Sequence, residues 1–468
     1  MRFIKFKLPL WVAGGLMALT VTTAEAQVPV VPNVPQEDAY QLRALPPQEA
    51  AQEAASAEEE GPTRYLETEL LQSQRINTYG WVAAGIGANN WGAPWNGPIT
   101  FNDRNWMGQM NQLYLVNERT LDTGDGGWDW GGRVDLLYGT DYIYTTARGL
   151  DAARAGDPIG LGAPRWGSNK YYGLAMPQLY GELGYNDLAV KFGHFYTIIG
   201  YEVVPAIGNF FYTHAYTMQY GEPFTHTGVL DTWTVNDQLT VYAGITNGWD
   251  NFSDPINILG IANPGYPGAN SNAAFLGGVT FKNSDQTQAL TVTTSSGNEI
   301  GGFTSPLATI GNRSIISTVY TNELNDKLTY VFQNDNGWQF NAIGIAETIG
   351  QQRGTAQWYG INQYLFYNFT ETLIGGMRLE WFRDNHGYRV FNPIRNYWAG
   401  GPWQGGYQGN FWQATWGLNW RATSNWMIRP ELRYDWYSPD KAGTPLPFGR
   451  NSDQYGQFYG GCDAIWQF

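Results

Sequence analysis

Tyr455-Gly456-Gln457-Phe458-Tyr459-Gly460-Gly461-Cys462-Asp463-Ala464-Ile465-Trp466-Gln467-Phe468 closes the chain, and the fold turns on how this stretch is read. In steps of two, Phe458, Gly460, Cys462, Ala464, Trp466 and Phe468 share one face, while Gln457, Tyr459, Asp463 and Gln467 share the other. A period of two is that of a β-strand, whose successive side chains point to opposite faces. One face suits hydrocarbon and the other water, and about 10 such residues cross a bilayer when the strand is tilted. The alternative is an ordinary half-buried edge strand, so the remaining sequence has to discriminate.

Composition narrows the class. Aromatic residues make up 16 % of the 468 positions and Gly fills 58 of them, but charged residues are only 15 %. The mean hydropathy is -0.37, too low for a helical membrane protein. A barrel that alternates lipid-facing and water-facing side chains averages to such a value, with Trp and Tyr at the interfaces and Gly in turns. A secreted, Trp-rich β-protein that binds carbohydrate would share this composition. The net charge of -14 argues against nucleic acid, which requires a positive surface. Cys462 is the single cysteine, so no internal disulfide is expected.

At the other end, Arg2, Lys5 and Lys7 precede an apolar run from Leu8 to Val21, followed by Ala24-Glu25-Ala26. This is the pattern of a secretory signal peptide over residues 1–26, cleaved after Ala26. Residues 27–74 turn Pro-rich and then acidic, with Glu58, Glu59 and Glu60 in succession. Such a segment has little to bury, so a disordered periplasmic tail is expected, with a short helix around Thr63 to Gln74.

From residue 75 to Phe468 the dyad pattern repeats. Trp412, Ala414, Trp416, Leu418 and Trp420 alternate with Gln413, Thr415, Asn419 and Arg421; Ile428, Leu432, Tyr434 and Trp436 oppose Arg429, Glu431, Arg433 and Asp435. Pro430 lacks the N–H that a closed sheet requires, which predicts a bulge or a strand start there. Short turn signals, such as Asn186-Asp187 and Asn236-Asp237, alternate with long Gly-, Pro- and aromatic-rich segments. Tight periplasmic turns facing long external loops are the asymmetry of an outer-membrane barrel. Eight long segments imply an all-β, antiparallel transmembrane barrel of about 16 strands. Keeping that parity assigns the strand-like runs Phe210 to Gln219 and Trp338 to Ile349 to loops.

Charges facing lipid cost about 2 to 4 kcal/mol for a mid-bilayer Arg or Lys. Arg133, Asp135, Glu182, Lys191, Arg378, Glu380, Arg429, Glu431, Arg433 and Asp435 are therefore expected to line the lumen. Their mixed signs suggest cross-strand ladders that stiffen the wall. Asp and Glu outnumber Lys and Arg in the barrel segment, which favours a mild cation preference.

Chemistry is less well represented. His194, His214, His226 and His386 show no zinc spacing, and neither a Gly-x-Ser-x-Gly elbow nor a phosphate-binding Gly-rich loop occurs. No cofactor or metal is expected, although an outer-membrane barrel hydrolase with a catalytic group at its rim stays open as an alternative. Asp122-Thr123-Gly124-Asp125-Gly126 has incomplete calcium-loop spacing and reads as a turn.

The terminal Phe468 with Trp466 two places before it resembles the C-terminal signal read by the barrel assembly machinery. Phe192-Gly193-His194-Phe195, Gly200-Tyr201-Glu202, His226-Thr227-Gly228, Tyr359-Gly360-Ile361 with Tyr364, and Arg378-Leu379-Glu380-Trp381-Phe382-Arg383-Asp384 resemble the β-barrel porin-2 family. The resemblance implies a passive diffusion channel for small hydrophilic solutes or ions, embedded in outer-membrane lipid. It supplies no binding residues, and leaves homo-oligomerisation open. In porins a loop after about the fifth strand folds inward and narrows the channel. Here that position is the segment Tyr196 to Thr225, with Tyr201, Glu202, His214, Tyr216 and Glu222, then His226 at the next strand, as the expected constriction.

Overall fold

The computed structural model describes residues 63–66, 68–124, 126–152, 164–167, 171–252, 273–301, 309–343, 353–392, 406–441, 443–444 and 446–468. The expected signal peptide and most of the expected tail lie outside them. A short helix, α1 (Glu69–Ser73), precedes the sheet and is capped by the Thr68 hydroxyl, which accepts from the Leu71 amide at 3.3 Å.

Sixteen strands follow. They are β1 (Ile76–Asn89), β2 (Gln109–Arg119), β3 (Trp128–Gly139), β4 (Gly173–Tyr185), β5 (Leu188–Tyr196), β6 (Thr225–Asn236), β7 (Leu239–Thr246) and β8 (Ala274–Lys282). The second half comprises β9 (Gln288–Gly301), β10 (Thr309–Asn325), β11 (Leu328–Ile343), β12 (Arg353–Asn368), β13 (Leu373–Asp384), β14 (Gly409–Arg421), β15 (Trp426–Pro439) and β16 (Gly456–Gln467). Each pairs antiparallel with its sequence neighbours, and β1 pairs with β16 to close the barrel, Trp81 opposite Gln467 and Asn89 opposite Tyr459.

Alternation decides which side chains enter the barrel. On β15, Leu432 is 67 % exposed on the outer face while Arg433 is fully buried inside. Exposed aromatics ring the outer face near the short turns, among them Trp130, Tyr185, Trp233, Tyr367, Trp420 and Trp426. Trp412, Trp436 and Phe458 mark the opposite edge. Such girdles bracket the apolar band of a transmembrane barrel, where amphipathic rings meet the headgroups.

Two expectations are corrected. Trp338 to Ile343 is not loop but the end of β11; residues 344–349 lie outside the described residues. Parity survives because β10 to β12 are simply longer strands, not additional ones. Pro430 marks neither a bulge nor a start, since β15 begins at Trp426 and its pairing keeps register on either side of the proline. The missing N–H falls in a gap of the β14 ladder, between the pairs Gly417–Glu431 and Trp420–Ile428.

Candidate functional site

Residues 197–224, the long loop between β5 and β6, turn into the barrel interior. Short helical turns at Ala206–Gly208 and Thr217–Gly221 shape the loop, and nearly all of its middle is buried. Wall charges hold its backbone. The amides of Tyr212 and Thr213 donate to the Glu431 carboxylate at 3.0 and 3.1 Å. Those of Tyr216 and Thr217 donate to Glu380 at 2.8 and 2.7 Å. Cations take the carbonyls: Arg429 donates to Ala206 and Asn209 at 2.9 and 2.6 Å, and Arg433 to His214 at 2.6 Å.

Each arginine is neutralised in place. Arg429 pairs with Asp463 and Arg433 with Asp435, at 2.6 and 2.7 Å. Arg378 donates to Glu202 at 2.6 Å and to the Thr213 carbonyl at 2.7 Å. Glu202 also accepts from the Tyr364 hydroxyl, the Ala215 amide and the His214 ring. Burial alone would push the Glu202 carboxyl up, but Arg378 and His214 outweigh it and hold it down to about 2. His214 is lowered by burial despite Glu202, so its ring is neutral and gives a hydrogen bond instead of a second cation.

Glycines on the wall receive the loop side chains. A Cβ on inward-facing Gly376 would collide with the Phe210 ring, and one on Gly360 with the Thr217 hydroxyl. Phe210 and Phe211 join Val331, Tyr364 and Phe366 in one apolar cluster, with Tyr201 packed against it. A larger cluster contains Tyr216, Tyr220 and Trp249 with wall residues Tyr180 of β4 and Trp358 of β12. Those two strands are eight apart in a ring of sixteen, so the cluster reaches from one wall to the opposite one.

The expected constriction residues divide into groups. Glu202 and His214 meet at Arg378; Tyr216 sends its hydroxyl to Asp435 at 2.7 Å, beside Arg433. Glu222 accepts from Gln333 at 2.6 Å, and burial together with neighbouring Asp335 pushes its carboxyl up. His226 stands apart at the base of the loop, bonded to the Thr197 hydroxyl and the Gly248 carbonyl.

All of the expected wall charges described above point inward, but six of them are not bathed by the lumen. Arg378, Glu380, Arg429, Glu431, Arg433 and Asp435 are buried beneath the loop, at most 5 % exposed. The reason is that strand alternation specifies inside or outside, not whether water or chain fills the inside. Arg133 and Asp135 do form a wall ladder with Glu118, at 2.7 and 3.0 Å, and Lys191 meets Glu182 across β4 and β5 at 3.2 Å. Gln112, which accepts from the Ala206 amide at 2.9 Å and donates to the Val204 carbonyl at 2.7 Å, Asp463 and the inward glycines were not singled out from sequence; a Gly at an inward, strand-period position is the signal that could have found the last.

The family profile described as "Putative beta-barrel porin-2, OmpL-like" matches residues 75–468. No curated protein matches in sequence. Among solved structures, an anion-selective porin from Comamonas acidovorans is similar with a TM-score of 0.53 at 10% identity, covering 84% of this chain and 99% of that one. The outer membrane channel DcaP of Acinetobacter baumannii gives 0.49 at 11% identity, covering 84% and 97%. OprB of Pseudomonas putida gives 0.48 at 11%, covering 87% and 99%. At these identities the likeness is one of fold.

Proposed function

Because the chain belongs to the beta-barrel porin-2, OmpL-like family and is therefore an outer-membrane channel and not an enzyme, we propose that it is a passive diffusion channel for small hydrophilic solutes whose constriction is the inward loop 197–224. The observation that carries this reading is the clamping of that loop, across several turns of its backbone, by Glu380, Arg429, Glu431 and Arg433 of the wall. Passage requires no chemical step. It requires a narrow place whose shape is held against thermal motion, and charged hydrogen bonds worth about 1.5 to 3 kcal/mol each supply that.

Charge selectivity at this place is weak in the proposal, because the arginines of the constriction are paired with carboxylates within 2.7 Å. Tyr216, Tyr220, Trp249 and Trp358 are packed within the cluster that seats the loop, so they hold the shape of the passage and do not present their faces to solute. Tyr201, Glu202, His214, Tyr216 and Glu222 shape the gap, and His226 fixes the base of the loop. Trp466 and Phe468 are read as the insertion signal.

Deletion of Tyr201 to Tyr220 tests the reading. In planar bilayers the shortened protein should give larger unit currents and less discrimination by solute size than the full chain. Equal currents and equal discrimination would put the constriction elsewhere.

A further inference from the structure

Carboxylates and arginines are matched along one side of the barrel interior and not along the other. On β15 and β16, Arg433 pairs with Asp435 and Arg429 with Asp463. Following the rows of opposed residues round to β10 to β12, the inward side chains are Ser317, Val319, Gln333, Asp335 and Asn362, with no cation among them. The loop nonetheless lays a further carboxylate, Glu222, against this wall. Gln333 donates to Glu222 at 2.6 Å and to Asp335 at 3.0 Å, and the Ser317 hydroxyl donates to Asp335 at 2.6 Å. Glu222 is itself within hydrogen-bonding reach of Asp335. From the start of the loop Gly200 closes the other side, where a Cβ would fall on the Glu222 oxygens. Both carboxylates are at most 4 % exposed, and neither forms an ion pair among the described residues.

Polar atoms at this place are left without partners. Asp335 and Asn362 are fully buried; Oδ2 of Asp335 meets no donor, and the Asn362 carboxamide has no partner for its oxygen or its nitrogen among the described residues. Asn362 stands directly opposite Gln333 on one side and Glu380 on the other, on the inner face. The loop is fastened beside it, with the Thr217 hydroxyl on Glu380 at 2.8 Å and the Trp358 indole on the Gly221 carbonyl at 3.0 Å. Directly opposed Cβ atoms lie about 5 Å apart, so the carboxamide at 362 is within reach of the space that Gln333, Asp335 and Glu222 share. A buried carboxylate demands a cation, a proton or enough donors to replace water, and an unpartnered amide adds its own cost. A proton shared by Glu222 and Asp335 would leave Asn362 as it stands. A cation among them answers both.

We infer that Glu222, Asp335 and Asn362, with Gln333, form a calcium site that fastens the end of the inward loop to β11 and β12. The donors are carboxylate and carboxamide oxygens, the set of a hard cation; zinc takes His and Cys instead. No group of three His, Cys, Asp or Glu residues suited to a metal occurs among the described residues. Calcium does not need one, because neutral carbonyl oxygens and water make up much of its shell. The Gln333 carboxamide now turns its nitrogen to the two carboxylates, and a half-turn that leaves its shape unchanged presents its oxygen. Calcium accepts irregular geometry where magnesium demands an octahedron, which suits a site assembled from one loop residue and three of the wall. Because Glu222 belongs to the loop, the ion ties the position of the loop to calcium. The effect on current rests on the loop being the constriction, whereas the binding does not.

Terbium luminescence on the purified full protein, stripped with chelator, reads the site directly. Terbium occupies calcium sites, and the Trp358 indole, bonded to the Gly221 carbonyl next to Glu222, excites it. The unaltered protein should give saturable emission that calcium displaces. Asp335→Asn and Asn362→Leu should each weaken binding by about tenfold or more. Asp231→Asn, at an exposed carboxylate of β6, should leave it unchanged. In planar bilayers chelator should raise and roughen the unit current of the unaltered protein and calcium should steady it, with Asp335→Asn indifferent to both. Absent emission, or emission that survives both Asp335→Asn and Asn362→Leu, would overturn the proposal. So would a pair that merely shares a proton, shown by a current that follows pH in chelator while terbium gives no emission. Displaceable emission lost in Asp335→Asn, together with a current indifferent to calcium, would uphold the site and count against the loop as the constriction.

Discussion

Arg378→Met removes the cation that holds Glu202 while keeping most of the side-chain bulk. The loop carboxylate is then left buried without the guanidinium that lies 2.6 Å away. Breaking a buried pair from one side costs about 3 to 5 kcal/mol. Four other wall groups still grip the loop, so it stays in the barrel and the loosening is confined to the segment around Glu202 and Thr213. At about 1.4 kcal/mol per tenfold, the ratio of seated to loosened segment should fall by about two to three and a half powers of ten. The sign of the pH dependence follows. In the intact protein the Glu202 carboxyl is depressed to about 2, so its contribution is complete at neutral pH and is lost only as pH falls through that value. Without Arg378, burial acts in the opposite direction, so the variant is loosest at neutral pH and reseats as acidification neutralises the carboxyl. Single-channel recording at pH values of about 7 and about 4 reads this out. The variant should show higher, noisier current at the higher pH and recover at the lower, while the unaltered protein holds a steady level at both. Adding Glu202→Gln should restore the steady level at both pH values, because the pair is then removed together. Steady current from the single variant at both pH values would refute the reasoning.

Three further outcomes are expected. Gly376→Val should displace the Phe210 ring and raise unit conductance without altering any charge, since the added carbon occupies the place of that ring; unchanged conductance would show that the ring has room to move. Asp250 accepts from the Phe224 and Thr225 amides at 3.0 and 2.9 Å, and burial pushes its carboxyl up to about 6. The folded protein therefore keeps a proton that the unfolded chain releases, and stability falls by about 3 kcal/mol as pH rises across that interval; Asp250→Asn should flatten this part of the thermal-unfolding profile, and an unchanged slope would count against it. Removing Phe468 should lower the yield of inserted barrel while leaving the conductance of assembled molecules unchanged, because its N–H and carbonyl bond Gly80 at 2.9 and 2.8 Å at the edge of the closing strand pair.

Much of the architecture was legible because lipid and water impose a period of two on every strand. The Trp412 to Trp420 stripe is visible without coordinates, and the strand number follows from turn parity. Where the period carries no such information, reading stopped. Arg378, Glu380 and Arg429 alternate as lumen residues do, but alternation cannot tell a side chain that meets water from one that grips a folded-in loop. Trp338 to Ile343 was misassigned because parity limits how many strands there are, not how far each extends.

The pairing of β1 with β16 sets an order of events during assembly. Every other strand pair joins neighbours along the chain, so those hairpins form through short-range encounters, whereas this last pair joins segments at opposite ends of the barrel sequence. Long-range closure is slow because chain entropy must be surrendered first. The inward loop touches both sides of the seam: the Tyr212 ring lies against Gly85 of β1, and its amide is held by Glu431 of β15. The loop is thereby anchored on both sides of the seam, so its docking and the closing of the barrel support each other. The carboxylates and guanidiniums of β13 and β15 that grip the loop therefore also steady the joint between the first and last strands.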